Sequence, residues 1–122
     1  MTKSIVLGLL LTIYSIANES TVSPYSLIYT DCMQISINPN SCIENEISVQ
    51  DKKLNIAYKH AMKSILSSRV EALKKVQRLW IRYRDEKCGF FYHKESGSGG
   101  LTDAIQCALH ETMIRTKELE AL

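Results

Sequence analysis

The chain is poor in the residues that mark simple non-globular classes. Two Pro and five Gly among 122 residues exclude collagen-like and Pro-rich linker sequences. A formal net charge of +2 is too small to mark a nucleic-acid binder. No run of alternating apolar and polar residues reaches a useful length, which argues against strands. After residue 16 no stretch is long and apolar enough to span a bilayer, because a spanning helix needs about 20 such residues. The cysteines contain no C-x2-C pair, which removes four-cysteine zinc sites and thioredoxin-type redox pairs. What remains is a chain with 45% hydrophobic and 23% charged residues, ordinary for one folded domain.

The first feature present is an apolar leader. Lys3 precedes an uncharged run from Ser4 to Ile16, and Ser15-Ile16-Ala17 offers small residues at a cleavage site. This is the layout of a secretory signal peptide over 1–17. No Cys stands just after the apolar run, so a lipid anchor is not indicated. Cleavage after Ala17 leaves 105 residues with a net charge of +1. Export places the chain in the periplasm or outside the cell.

Four cysteines, Cys32, Cys42, Cys88 and Cys107, lie behind that leader, with 9, 45 and 18 residues between neighbours. An even count in an exported chain predicts two disulfides. Of the three pairings, Cys32–Cys42 and Cys88–Cys107 are favoured because each closes a short loop.

Residues 18–38 show no clear period and are expected to form an irregular arm before a helical domain at 39–122. Asn38-Pro39 is a helix start. Ile43, Ile47, Leu54, Tyr58, Ala61 and Ile65 then repeat at helical spacing, predicting a helix over about 40–66. Ser68-x-x-Glu71 reads as a capping box for a second helix reaching about residue 88, with Leu66, Val70, Leu73 and Trp80 in its stripe. Gly89 to Gly100 holds four of the five glycines and reads as a loop. Thr102 or Asp103 is expected to cap a last helix striped by Leu101, Ile105, Ala108 and Leu119. The fold expected is all-α: a small bundle of about three helices pinned by disulfides.

Polar residues interrupt these stripes. Asp51 falls between Ile47 and Leu54, Gln77 between Leu73 and Trp80, and Arg84 four residues beyond Trp80. Thr112 and Arg115 lie between Ala108 and Leu119. Inward-facing polar groups need partners, so these residues are expected to satisfy one another across the bundle, or else to line a pocket.

No catalytic arrangement is found. His60, His93 and His110 lie at no metal-ligand spacing. There is no G-x-S-x-G element. Asp85 and Glu86 are adjacent and diverge by about 100° on a helix, so they cannot flank a glycosidic bond. Ser96 to Gly100 lacks the Lys-Ser/Thr end of a P-loop. The chain is therefore read as a non-enzyme without cofactor or metal.

Two surfaces are candidates for partner contact. Lys75, Arg78 and Arg82 share one helix face by spacing, in a segment with a local charge of +4. That face suits an acidic surface or anionic polymer; export makes nucleic acid a poor partner. Phe90, Phe91, Tyr92 and His93 follow Cys88, and three consecutive aromatics in a loop cannot all turn inward. Phe90 and Phe91 could instead plug the end of the bundle. The contact residues singled out are Phe91, Tyr92 and His93, with Lys75, Arg78 and Arg82 as the rival set.

The same residues form an ordered pattern: C-x8-D-x2-L-N-x2-Y at Cys42, Asp51, Leu54, Asn55 and Tyr58. Next comes Q-x2-W-I-x-Y-R-D-x2-C from Gln77 to Cys88. A Gly/Ser loop follows, then C-x4-T-x2-R-x3-L from Cys107 to Leu119. The pattern covers about 32–119 and resembles the lysozyme-inhibitor LprI-like N-terminal domain family. The resemblance implies an exported, helical, disulfide-bonded bacterial domain, with lysozyme or another envelope protein as partner. It adds Asn55 to the polar set of Asp51, Gln77, Arg84, Thr112 and Arg115. The chain's net +1 offers no long-range attraction to a cationic lysozyme. Alternative functions are an envelope-associated structural or stress protein that binds an anionic polymer or membrane surface, and an immunity protein against a secreted toxin.

Overall fold

A computed structural model describes residues 23–122, apart from the Ser98 side chain. The expected signal peptide at 1–17, and residues 18–22 of the arm, lie outside the described residues. Four α-helices run in order: α1 (Leu27–Ile35), α2 (Pro39–Ser64), α3 (Val70–Gly89) and α4 (Gly97–Glu120). Among the described residues there is no strand. No helix there is long and apolar enough to cross a membrane.

Helix α1 corrects the expected irregular arm. Ser26 caps it by accepting from the Tyr29 N–H at 3.1 Å. Its period was masked because its outer face is also apolar: Leu27, Ile28 and Ile35 are exposed, while Tyr29 is buried. Helix α2 starts as the sequence implies. The Asn38 side chain accepts from the Asn40 N–H at 3.1 Å, and Pro39 occupies the first turn.

The junction to α3 is a single 3-10 turn at Ser67–Arg69. The Ser68 capping box does not form: the cap position falls on Arg69, without a side-chain cap bond. Glu71 pairs instead with Lys74 at 2.7 Å. Leu66 and Leu101, expected in apolar stripes, are both exposed.

Helix α4 begins five or six residues before the expected cap, which shortens the loop to Phe90–Ser96. Gly97 enters it with φ of 63°, a left-handed conformation that favours glycine. A Cβ on Gly100 would lie 2.5 Å from Ser96 Cβ and 2.8 Å from the Phe91 carbonyl oxygen. The first turn thus packs onto the loop in a way that only glycine permits. Thr102 lies inside the helix and donates to Asn40 Oδ1 at 2.7 Å.

The broadest helix interface is between α2 and α4; α3 packs on α4 and α1 on α2. One core cluster joins Leu54, Ala57 and Ala61 of α2 to Leu73 and Leu119. The other joins Tyr29, Cys42, Ile43 and Leu109. Disulfides Cys32–Cys42 and Cys88–Cys107 tie α1 to α2 and α3 to α4, with Cα separations of 5.7 and 5.4 Å. All four cysteines are paired as the loop lengths favoured.

The buried face of α2 carries a carboxylate at its centre. Glu46 accepts from the Ser26 N–H at 3.0 Å, the Ser26 hydroxyl at 2.5 Å and Gln50 Nε2 at 2.7 Å. Gln50 also donates to the Pro24 carbonyl at 3.2 Å. One acid therefore ties the arm to α2. Burial pushes the Glu46 carboxyl up, but the Ser26 and Gln50 hydrogen bonds outweigh it. With a smaller pull from Lys53, they hold it below the ordinary glutamate value.

A depressed folded value means that the unfolded chain takes up the proton first as pH falls. The stability that Glu46 adds is complete above about pH 5 and is lost as pH drops through the folded value. Glu46→Gln should therefore be less stable at pH 7. Its stability should also depend less on pH between about 5 and 3 than that of the parent. Denaturant unfolding across that range measures both. Parallel pH profiles for the two proteins would show that this carboxylate does not hold the arm.

Candidate functional site: a polar cleft and an aromatic loop

Helices α2 and α3 each pack on α4 far more than on one another, so a cleft of about 280 Å³ opens between them. Asp51, Leu54, Asn55 and Tyr58 line it from α2, and Gln77, Trp80, Ile81 and Arg84 from α3. In each helix the spacing is i, i+3, i+4, i+7, which presents one face.

Arg84 is the centre of this group. Its side chain is 19% exposed, and Nε and Nη2 bind Asp85 Oδ1 at 2.9 and 2.8 Å. Nη1 reaches Thr112 Oγ1 at 3.5 Å and Asp51 Oδ1 at 3.8 Å. Arg115 comes from α4, with its side chain 11% exposed. It donates through Nε to Gln77 Oε1 at 3.0 Å and pairs through Nη1 with Glu118 at 2.8 Å. Both guanidiniums lie near the Trp80 ring, at 5.2 and 6.0 Å from its centroid. Arg115 Nη2 is buried without a hydrogen-bond partner among the described residues.

The polar set is thus brought together, but unevenly. Gln77 and Thr112 are buried, and Thr112 also donates to the Ala108 carbonyl at 2.8 Å. Asp51 has a side chain 45% exposed, and Asn55 is exposed at the mouth. The sequence reading missed Glu46 and Gln50, which lie deeper than Asp51.

The aromatic loop follows α3. Phe90, Phe91 and Tyr92 are 84, 44 and 63% exposed, so none of the three plugs the bundle. The Phe90 and Phe91 rings meet edge to face at 6.1 Å. The Phe91 N–H donates to the Cys88 carbonyl at 3.2 Å, Tyr92 N–H to Gly89 at 3.0 Å and Ser96 N–H to His93 at 2.8 Å. His93 Nδ1 accepts from the Glu95 N–H at 3.2 Å. The Cys88–Cys107 disulfide spans the loop's two flanking helices. A shallow cavity of about 700 Å³ is lined by the loop aromatics with Ser96, Gly99, Gly100 and Asp103.

Lys75, Arg78 and Arg82 are exposed along α3, and none forms an ion pair among the described residues. Lys87, at the end of the same helix, pairs with the buried Glu111 at 2.6 Å. That hydrogen bond, followed by one with Tyr83, holds the Lys87 ammonium above its ordinary value. His60, His93 and His110 are exposed. Among the described residues no three His, Cys, Asp or Glu side chains converge as metal ligands.

Fold and site together define a small disulfide-stapled helical domain with a Trp-Arg cleft on one side and an aromatic loop at one end. The chain belongs to the LprI lysozyme inhibitor family: the family model described as lysozyme inhibitor LprI matches residues 23–119, all but three of the described residues. No curated protein and no solved structure matches the chain.

Proposed function

We propose that the chain is exported, is not an enzyme, and inhibits a lysozyme by docking its aromatic loop on that enzyme. The family assignment supports the target class. Two disulfides with no free cysteine suit an oxidising compartment, the periplasm or beyond. The observation that carries the surface is the exposure of Phe90, Phe91 and Tyr92 on a seven-residue loop tied at its base by a disulfide. Aromatic anchors on a preorganised loop lose little entropy on binding. His93 lies beside them as a polar contact at the rim.

The test is lysis of a peptidoglycan suspension by several lysozyme types, with and without the mature protein. Inhibition should survive physiological salt. Phe90→Ala/Tyr92→Ala should weaken it at least tenfold, since an aromatic hot spot is worth about 2 kcal/mol or more. Undiminished inhibition by that variant overturns the loop assignment; no inhibition of any lysozyme overturns the function.

A second reading rests on the unpaired cations Lys75, Arg78 and Arg82, which would hold an anionic envelope polymer. Binding through that face would collapse at high salt, whereas aromatic docking would not.

A further inference from the structure

The α2/α3 cleft holds more polar groups than the protein uses. Gln77 Oε1 is taken by Arg115, but its Nε2 donates to nothing among the described residues. The Asn55 amide, the Tyr58 hydroxyl and the Trp80 Nε1–H also have no hydrogen-bond partner among the described residues, and the Lys74 ammonium lies within electrostatic reach of Tyr58. Asp51 has only the Arg84 contact at 3.8 Å, beyond hydrogen-bonding distance. Five side chains from two helices thus face one cleft with free donors and acceptors. Leu54, Ile81 and the half-buried Tyr58 and Trp80 rings supply apolar walls between them.

The electrostatics narrow the ligand. Among the residues that line the cleft only Asp51 and Arg84 are charged, one of each sign, so the lining carries no excess charge to select an ion. Asp85 occupies Nε and Nη2 of Arg84. Arg115 is engaged through Nε and Nη1, and its Nη2 is closed off. No guanidinium fork is free for a carboxylate or phosphate. The remaining groups, amides, a carboxylate, a hydroxyl and an indole N–H beside apolar walls, match a neutral ring with hydroxyls at its edge and C–H groups on its faces.

We propose that the α2/α3 cleft binds one ring of a neutral glycan. Asn55, Asp51 and Gln77 take its hydroxyls, and the Tyr58 and Trp80 side chains pack beside it. The site is separate from the aromatic loop.

Trp80 is the chain's single tryptophan and sits in the cleft, so it reports binding directly. The trisaccharide of N-acetylglucosamine, titrated to about 10 mM, should give a saturable change in Trp80 fluorescence that salt does not abolish. Asn55→Ala removes an exposed side chain with no protein partner. It should keep the melting temperature and weaken the response about two- to tenfold. Phe90→Ala/Tyr92→Ala should leave the response unchanged, which separates this test from that of lysozyme inhibition. Three results overturn the proposal: no saturable change with the trisaccharide, an undiminished response in folded Asn55→Ala, or the same saturable change with sodium acetate, which would make the cleft an anion site.

Discussion

Replacing Cys88 and Cys107 together with Ser is expected to destabilise the domain by about 3 kcal/mol. The bond closes a sequence separation of 19, and the chain-entropy gain for a loop of about that length is of this size. For a domain of this size the melting temperature should fall by about 12–24 °C. Cys88 is buried and lies where α3 ends, so its loss also frees the base of the aromatic loop. On the proposed function, lysozyme inhibition should also fall at temperatures where the variant remains folded. Thermal melting and the lysis assay on the same preparation separate the two effects. A shift of only a few degrees would mean that the Gly100 approach and the loop's backbone hydrogen bonds hold α3 and α4 together without the bond.

Leu109→Ala is expected to cost about 2–5 kcal/mol, the range for emptying a well-packed leucine site. Leu109 is buried on α4 against Tyr29, Cys42 and Ile43. The gap would open where α1, α2 and α4 meet. Its neighbours include the Tyr29 ring and the disulfide-bonded Cys42, which limit collapse into the space. Urea unfolding measures the loss. Ile114→Ala on the same helix is the control: its side chain is exposed, so its cost should stay within about 0.5 kcal/mol. Equal losses for the two would show that the core does not run along this face of α4.

These two sites show how differently parts of the fold could be read in advance. The cysteine pairing followed from loop length and compartment. Helix α2 followed from Asn38-Pro39 and its apolar period. The motif residues from Asp51 to Arg115 were legible as a set, because polar residues in apolar stripes are conspicuous, and the structure brings Arg84 to Thr112 and Arg115 to Gln77. Asn55 was legible only through the resemblance; by position it belongs to the cleft mouth and not to the buried network. Lys75, Arg78 and Arg82 do share an exposed face, as their spacing implies.

Local pattern settled the all-helical class, the disulfide pairing and the main helices, since spacing, caps and loop length act within a few turns of chain. Tertiary contact decided the rest. The arm became α1 because Ser26 and the Cys32–Cys42 bond hold it on Glu46 and α2. A buried carboxylate is unfavourable on any single-helix reading; it is tolerated here because Ser26, 20 residues away, adds two donors to the one that Gln50 supplies from the same helix. The start of α4 moved to Gly97 because Gly100 could approach the loop carbonyl of Phe91. The cleft exists because α2 and α3, neighbours in sequence, both pack on α4 in preference to each other. That choice depends on how three apolar faces fit together, and no one of them records it alone.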